Sequence, residues 1–188
     1  MKKNLLFLVL VILGTTSLTA QSFKFGAKAG VNFSTFVGDD ADGSDSRTAF
    51  HLGAVGHFNI SDKFAIQPEL LYSAKGAKNT EDGETLTYKL DYISLPILAD
   101  FSVAPGLSLQ AGPQLGFLAN EEAEFDGVSV ELDEAEGFDF GAAIGAQYKL
   151  TELDLFFQVR YTFGLSEVIQ DVDVNNSNIS LSVGYFFL

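Results

Sequence analysis

Alternation at every second residue governs the last third of this 188-residue chain. Leu153, Leu155, Phe157, Val159, Tyr161, Phe163 and Leu165 make one face wholly apolar, while Asp154, Gln158, Arg160, Thr162 and Gly164 supply polar or small groups on the other. Side chains of a strand point alternately to its two faces, so this is the period of a β-strand and not of a helix. The final segment repeats it, with Ile179, Leu181, Val183, Tyr185 and Phe187 opposite Asn178, Ser180, Ser182 and Gly184. Bulky hydrophobes on one face and small or charged groups on the other describe the wall of a barrel in lipid.

Reading alternation against turn residues predicts eight strands, at 23–34, 48–60, 63–75, 87–103, 106–120, 137–150, 152–165 and 177–188. Each is long enough to cross a bilayer at a tilt of about 45°. Their connections alternate in character. Ser61-Asp62, Ala104-Pro105 and Thr151 mark short turns, whereas 35–47, 76–86, 121–136 and 166–176 read as long acidic loops. Short turns at one rim and long loops at the other predict an all-β, eight-stranded antiparallel up-and-down transmembrane barrel, its acidic loops outside the cell.

A soluble barrel shares the period, so volume must decide which face is inside. The apolar set includes Phe23, Phe25, Phe33, Phe50, Phe58, Phe117, Phe138, Phe140, Phe157 and Phe163, too much bulk for the interior of eight strands. The opposite set holds Gly26, Gly30, Gly53, Gly112, Gly116, Gly141 and Gly145, which suit a narrow lumen.

Residues 1–20 read as a secretory signal peptide, with Lys2 and Lys3 before an apolar run from Leu5 to Leu13 and a small Ala20 at the expected cleavage site. Residues 21–188 then form one barrel domain. The formal net charge is −14, and loss of the two leader lysines takes it to −16. Such a balance argues against nucleic acid as a partner. With no cysteine, disulfides and thiolate metal sites are excluded.

Two features break the pattern. Tyr88, Leu90 and Tyr92 put the apolar face on even positions, but Ile93, Leu95, Ile97, Ala99 and Phe101 put it on odd ones, which predicts a bulge between Tyr92 and Pro96. Pro68, Pro96 and Pro113 lie inside strands and lack the N–H a ladder needs, so bulges or missing ladder bonds are expected at each.

Lys24, Lys28, His51, His57, Glu69, Lys75, Asp139, Lys149, Asp154 and Arg160 are read as facing the lumen. Among them, Glu69 and Asp139 are expected to compensate Lys28 and Arg160 in a network of paired charges, the arrangement that relieves the cost of burying ions. A proton or ion path is the functional alternative. His51 with Glu69 and Ser73 invites a Ser/His/acid comparison, but no nucleophile elbow is present, and no catalytic residues are assigned. In DDADGSD, Asp40, Asp42 and Asp45 have part of a calcium-loop spacing, yet the twelfth position is His51 in place of the bidentate glutamate. No cofactor and no resident metal are expected.

FKFGAKAGVNFS (23–34), TAFHLGAVGHFNISDKFAIQPELLYSAKGAK (48–78) and YISLPILADF (92–101) resemble the porin-like, PorT-type outer-membrane β-barrel family of Bacteroidetes. The resemblance spans nearly all of 21–188 and implies an eight-stranded outer-membrane barrel, usually without an assigned activity. The C-terminus departs from the commoner pattern of a terminal aromatic, because Phe187 is penultimate and Leu188 is last.

Taken together, these residues predict a non-enzymatic protein of the cell outer membrane with a plugged lumen. Its role would be structural or interactive, through the acidic loops. Expected partners are outer-membrane lipid, with divalent cations, surface glycolipid or a further protein at the loops. A narrow pore or small-ligand channel is the alternative, and a lipid-modifying enzyme a third.

Overall fold

The computed structural model describes residues 23–81, 84–125, 127–132, 135–150, 152–169 and 172–187, so the expected signal segment 1–20 lies outside it. Nine strands follow in order: β1 (Phe23–Val37), β2 (Ser44–Asn59), β3 (Phe64–Glu81), β4 (Glu84–Ala104), β5 (Leu107–Phe125), β6 (Val128–Glu131), β7 (Phe138–Leu150), β8 (Leu155–Ile169) and β9 (Val172–Phe186). All pairings are antiparallel. Eight of the strands close into a ring, because β1 pairs with both β2 and β9 and the circuit is completed between β4 and β5. The ninth, β6, pairs among the described residues only with the far end of β5.

The strands are longer than expected, and almost entirely at the end carrying the long connections. β3 continues to Glu81, β4 starts at Glu84, β8 reaches Ile169 and β9 starts at Val172. The expected loops 76–86 and 166–176 are therefore mostly sheet, and 121–136 contains the end of β5 and all of β6. At 13 to 21 residues, the eight ring strands exceed the roughly 9–11 that a membrane requires, so the barrel wall extends beyond the bilayer.

Within that extension the polarity of the wall inverts. Across the membrane, Phe25, Val31, Phe33, Leu109, Ile144, Val159 and Leu181 face outward while Lys28, Glu69, Gln110, Gln147 and Arg160 are buried inside. Beyond it, Phe36, Ala77, Leu90, Tyr92, Val168 and Val174 point inward and form an apolar cluster with Ala135 of the β6–β7 connection. Water outside and hydrocarbon outside demand opposite faces, so strands that keep their pleat must exchange apolar and polar residues where they leave the bilayer.

This explains the irregularity in β4 and corrects the bulge expected there. Tyr92, Ser94, Pro96, Leu98 and Asp100 are all buried, and Ile93, Ile97 and Phe101 all exposed, so the pleat runs on without a slip. Only the polarity changes, at Tyr92. The bulge lies in the neighbouring strand: Asp91 pairs with Asn120 and Tyr92 with Leu118, leaving Ala119 as the extra residue of β5. It reverses the parity of β5, which turns Glu122 and Glu124 to the outer face of the extension and Ala123 and Phe125 to the inner one. At the prolines the ladder is interrupted as expected. Paired partners skip from Val55↔Glu69 to Phe58↔Ile66, from Pro68↔Ile97 to Leu71↔Ser94, and from Pro96↔Gln114 to Ala99↔Ala111.

The short-turn end is closed by Val55, Phe156 and Phe186, with the two phenyl rings 4.8 Å apart. Gly184 makes this possible, since a Cβ there would come within 2.1 Å of the Phe156 ring. At the rim below, Asp154 adopts a left-handed φ of 51° and holds Lys24 at 2.7 Å and Lys149 at 3.4 Å. Those two ammonium groups keep its carboxyl below the ordinary value.

The inversion predicts opposite responses to the same outward charge. Val159→Arg, beside the centre of the lipid-facing band, should lose about 2–4 kcal/mol of bilayer folding free energy. Thr87→Arg, outward on the extension, should stay within about 0.5 kcal/mol of the parent. Heat-modifiable gel mobility after refolding into vesicles measures both.

Candidate functional site in the barrel lumen

Inward positions of an eight-stranded barrel converge on one axis, and the charges carried there must satisfy one another. Glu69 of β3 is the centre. Its carboxylate accepts two hydrogen bonds from the Arg160 guanidinium of β8, Nη1 to Oε2 at 2.9 Å and Nη2 to Oε1 at 2.7 Å. Lys28 of β1 lies 2.8 Å from Oε2, and Gln67 donates to Oε1 at 2.8 Å. All four residues are buried. The forked pair is the geometry in which a guanidinium binds a carboxylate most strongly.

Amides carry the network across the barrel. The Lys28 ammonium donates to Gln158 Oε1 at 2.7 Å, Gln158 donates to Gln110 at 2.5 Å, and Gln67 donates to Gln147 at 3.2 Å. Toward the short-turn end, Asp100 accepts from Gln110 at 2.6 Å and from Ser108 at 2.9 Å. Toward the extension, Lys75 lies 2.9 Å from Asp139, which also accepts from Asn176 at 3.2 Å.

Of the four residues assigned to the network from sequence, Lys28, Glu69 and Arg160 meet at one point. Asp139 does not join them. It pairs with Lys75, one layer nearer the extension, so Glu69 alone faces both Lys28 and Arg160. Alternation told which face Asp139 occupies, but its height depends on the stagger of β7 against β3, which are not neighbours in the ring. Asp100 was missed altogether. Its signal was the even parity it shares with Ser94 and Leu98, opposite the outward set Ile97, Ala99 and Phe101. Counting it, three cations (Lys28, Lys75, Arg160) face three carboxylates (Glu69, Asp100, Asp139) in the lumen. Lys24, Lys149 and Asp154 form the rim cluster instead, and His57 is half-buried, with Gln67 Oε1 3.2 Å from its Nδ1.

Ser73 stands opposite His51 in the β2–β3 register, but the His51 ring bonds neither it nor Glu69. Its Nδ1 is 2.9 Å from Asn32 Oδ1 and its Nε2 is 2.8 Å from Ser182 Oγ. Serine, histidine and an orienting amide within hydrogen-bond reach is the order of groups that activates a hydroxyl nucleophile. Here the cavity beside them, lined by Lys28, Asn32, Ser73, Arg160 and Asn178 among others, measures about 10 Å³. That is space for about one water and for no acyl substrate. Gly30 is part of the fit, since a Cβ there would come within 2.8 Å of the His51 ring.

One carboxylate of DDADGSD braces the extension. Asp40 Oδ2 accepts the Asp173 backbone N–H at 3.0 Å, tying the β1–β2 connection to β9. Among the described residues no group of three or more His, Cys, Asp or Glu is arranged to hold a metal ion.

The ring has relatives among solved structures. Neisserial surface protein A superposes with a TM-score of 0.58 at 15% identity, covering 86% of this chain and 96% of that one. Ail, the attachment invasion locus protein of Yersinia pestis, gives 0.55 at 16% identity, covering 89% of this chain and all of its own length. Ail in complex with the heparin analogue sucrose octasulfate gives 0.56 at 17% identity, with the same coverage. At such identities the likeness concerns the fold. No curated protein matches the sequence. Residues 19–170 match the family model described as the outer membrane protein beta-barrel domain. With a closed antiparallel ring, a lipid-compatible outer face and that match over most of its length, the chain belongs to the outer membrane protein beta-barrel domain family.

Proposed function

We propose that this protein is a closed, non-conducting barrel whose extended acidic end acts at the cell surface in a structural or interaction role. The observation that carries this reading is the filling of the lumen. A paired charge network crosses it, the cavity beside His51 measures only about 10 Å³, and apolar clusters shut it toward both rims. A pore or ligand channel would need a continuous polar path, which Phe36, Leu90 and Val168 at one end and Phe156 and Phe186 at the other oppose. Lipid-modifying chemistry at Ser182 and His51 would need a substrate where one water fits.

Short turns face the periplasm in barrels of this class, which puts the extension outside. Asp39, Asp40, Asp42, Asp45, Glu84, Glu121, Glu122, Glu124, Glu131, Glu136, Glu167 and Asp173 belong to that end, against Arg47, Lys78 and Lys89. The surface suits cationic partners, or divalent cations bridging to anionic surface glycolipid, and opposes a sulfated polyanion of the kind bound to Ail. The motifs at 23–34, 48–78 and 92–101 favour the PorT-type, Bacteroidetes branch of the family, without carrying over a secretion role.

Two measurements test the reading. Purified protein in planar bilayers should give no steady conductance, and a large, stable single-channel current would refute the closed lumen. Glu69→Ala should cost about 3–5 kcal/mol of folding stability, because Arg160 and Lys28 would be left buried without their carboxylate. For orientation, Val128→Cys should react with an impermeant maleimide on intact cells. Reaction only after the outer membrane is ruptured would invert the topology.

A further inference from the structure

In the extension β6 ends a sheet that continues through β5, β4, β3 and β2, and its far side is open. β6 pairs with β5 through Phe125↔Val128, Glu124↔Ser129, Ala123↔Val130 and Glu122↔Glu131, and among the described residues no strand pairs with its other edge. Phe125 pairs with Val128 across the hairpin end, and Gly127, just before Val128, has a φ of +79°. In such a hairpin the flanking pair exchanges hydrogen bonds, and pairs alternate from there, so the N–H and C=O groups of Ser129 and Glu131 face away from β5. β6 is short and ends on the charged Glu131, but Val128–Glu131 carries no proline, lysine or bulge.

The two faces of the sheet specify what would fit beside it. On the inner face Leu86, Phe125 and Val128 form one cross-strand row and Tyr88, Ala123 and Val130 the next, and Val128 and Val130 remain 66% and 57% exposed. The outer face reads Lys89, Glu122, Glu131 across β4, β5 and β6. Lys89 is engaged from Glu122, at 3.6 Å, to Glu124 and Ser129, and it holds the Glu124 carboxyl below its ordinary value. Glu131 thus sits directly opposite another carboxylate, an unfavourable cross-strand pair, with no cation on its open side among the described residues.

We propose that the free edge of β6 is a docking site for an extended segment of another protein in which Lys or Arg alternates with apolar residues. This rests on the surface reading above and names the partner. The segment adds a strand beside β6 by main-chain hydrogen bonds to Ser129 and Glu131, a known mode of peptide recognition. Its apolar residues cover Val128 and Val130 on the inner face, and its cations stand beside Glu131 on the outer one. A second copy of this chain is the wrong occupant, because its own β6 would bring another Glu131 to the edge of a molecule already carrying a net charge of −14.

The test uses the whole protein in phosphatidylcholine nanodiscs and a dye-labelled Lys-Val-Lys-Val-Lys-Val peptide, read by fluorescence anisotropy. Binding should weaken at least tenfold for a Lys-Val-Lys-Pro-Lys-Val probe of equal charge. The same loss is expected for Ser129→Pro, which removes an outward N–H without touching the β5 ladder. Glu131→Lys should weaken the lysine probe and strengthen a Glu-Val-Glu-Val-Glu-Val one. Hydrogen exchange should show amides of 128–131 protected at saturation, and unchanged heat-modifiable mobility confirms that each variant is folded. Equal binding of the two lysine probes without protection at β6 overturns the edge and leaves the acidic surface standing. Absence of binding by either overturns the edge, while labelling of Val128→Cys judges the surface reading separately.

Discussion

In hydrocarbon no water is available to a backbone N–H or C=O, so a sheet that enters the membrane must leave no edge. Pairing of β4 with β5 meets that demand here by joining the two ends of an eight-strand ring. Much of the remaining structure follows. Eight strands enclose a space only a side chain wide, which forces inward residues from opposite walls into contact. Glu69 and Arg160 lie 91 residues apart in sequence and share a forked hydrogen-bonded pair because closure brings β3 and β8 across the same axis. Ladder gaps at Pro68, Pro96 and Pro113 fall on neighbouring strands, and the ring holds despite them because pairing on either side of each gap keeps its register.

A second constraint acts where the wall leaves the bilayer. β1 and β4 run on without changing their pleat, yet the solvent outside changes from lipid to water. In response, the apolar residues move from the outer to the inner face, at Tyr92 on β4 and between Phe33 and Phe36 on β1. β5 achieves the change differently, with the extra residue Ala119 re-phasing the strand. The molecule is therefore an inside-out barrel continued by a conventional one, and the apolar core of the upper part also seals the polar lumen below. The lowest polar contacts of that seal, Lys75 with Asp139 and Asn176 with Tyr92, mark the boundary between the two regimes.

The charge network belongs to the interior in a way that disfavours simple excision. Removing one member strands its partner in a closely filled interior, whereas the intact set balances three cations with three carboxylates. Amides of Gln67, Gln110, Gln147 and Gln158 complete it by bonding the charges and one another. The same fit places His51 between Asn32 and Ser182, where its two ring nitrogens are satisfied and no room for a substrate remains.

Period two, the bulk of the outward aromatics and the alternation of short and long connections were sufficient for the fold, the strand count of the ring and the side of the wall on which Lys28, Glu69, Asp139 and Arg160 stand. Face is a local property, set by the pleat of each strand, and a sequence displays it directly. Height along the barrel is not local. Whether Asp139 meets Arg160 or Lys75 depends on the stagger accumulated around the closed ring, and that stagger is set by pairings between distant segments. The length of the strands was hidden for a related reason: polar residues such as Glu84, Thr85, Thr87 and Asp173 look like loop until the position of the membrane is known. Only the tertiary structure decided where lipid ended, and with it which residues were wall, which were core, and that β6 would be left with an open edge.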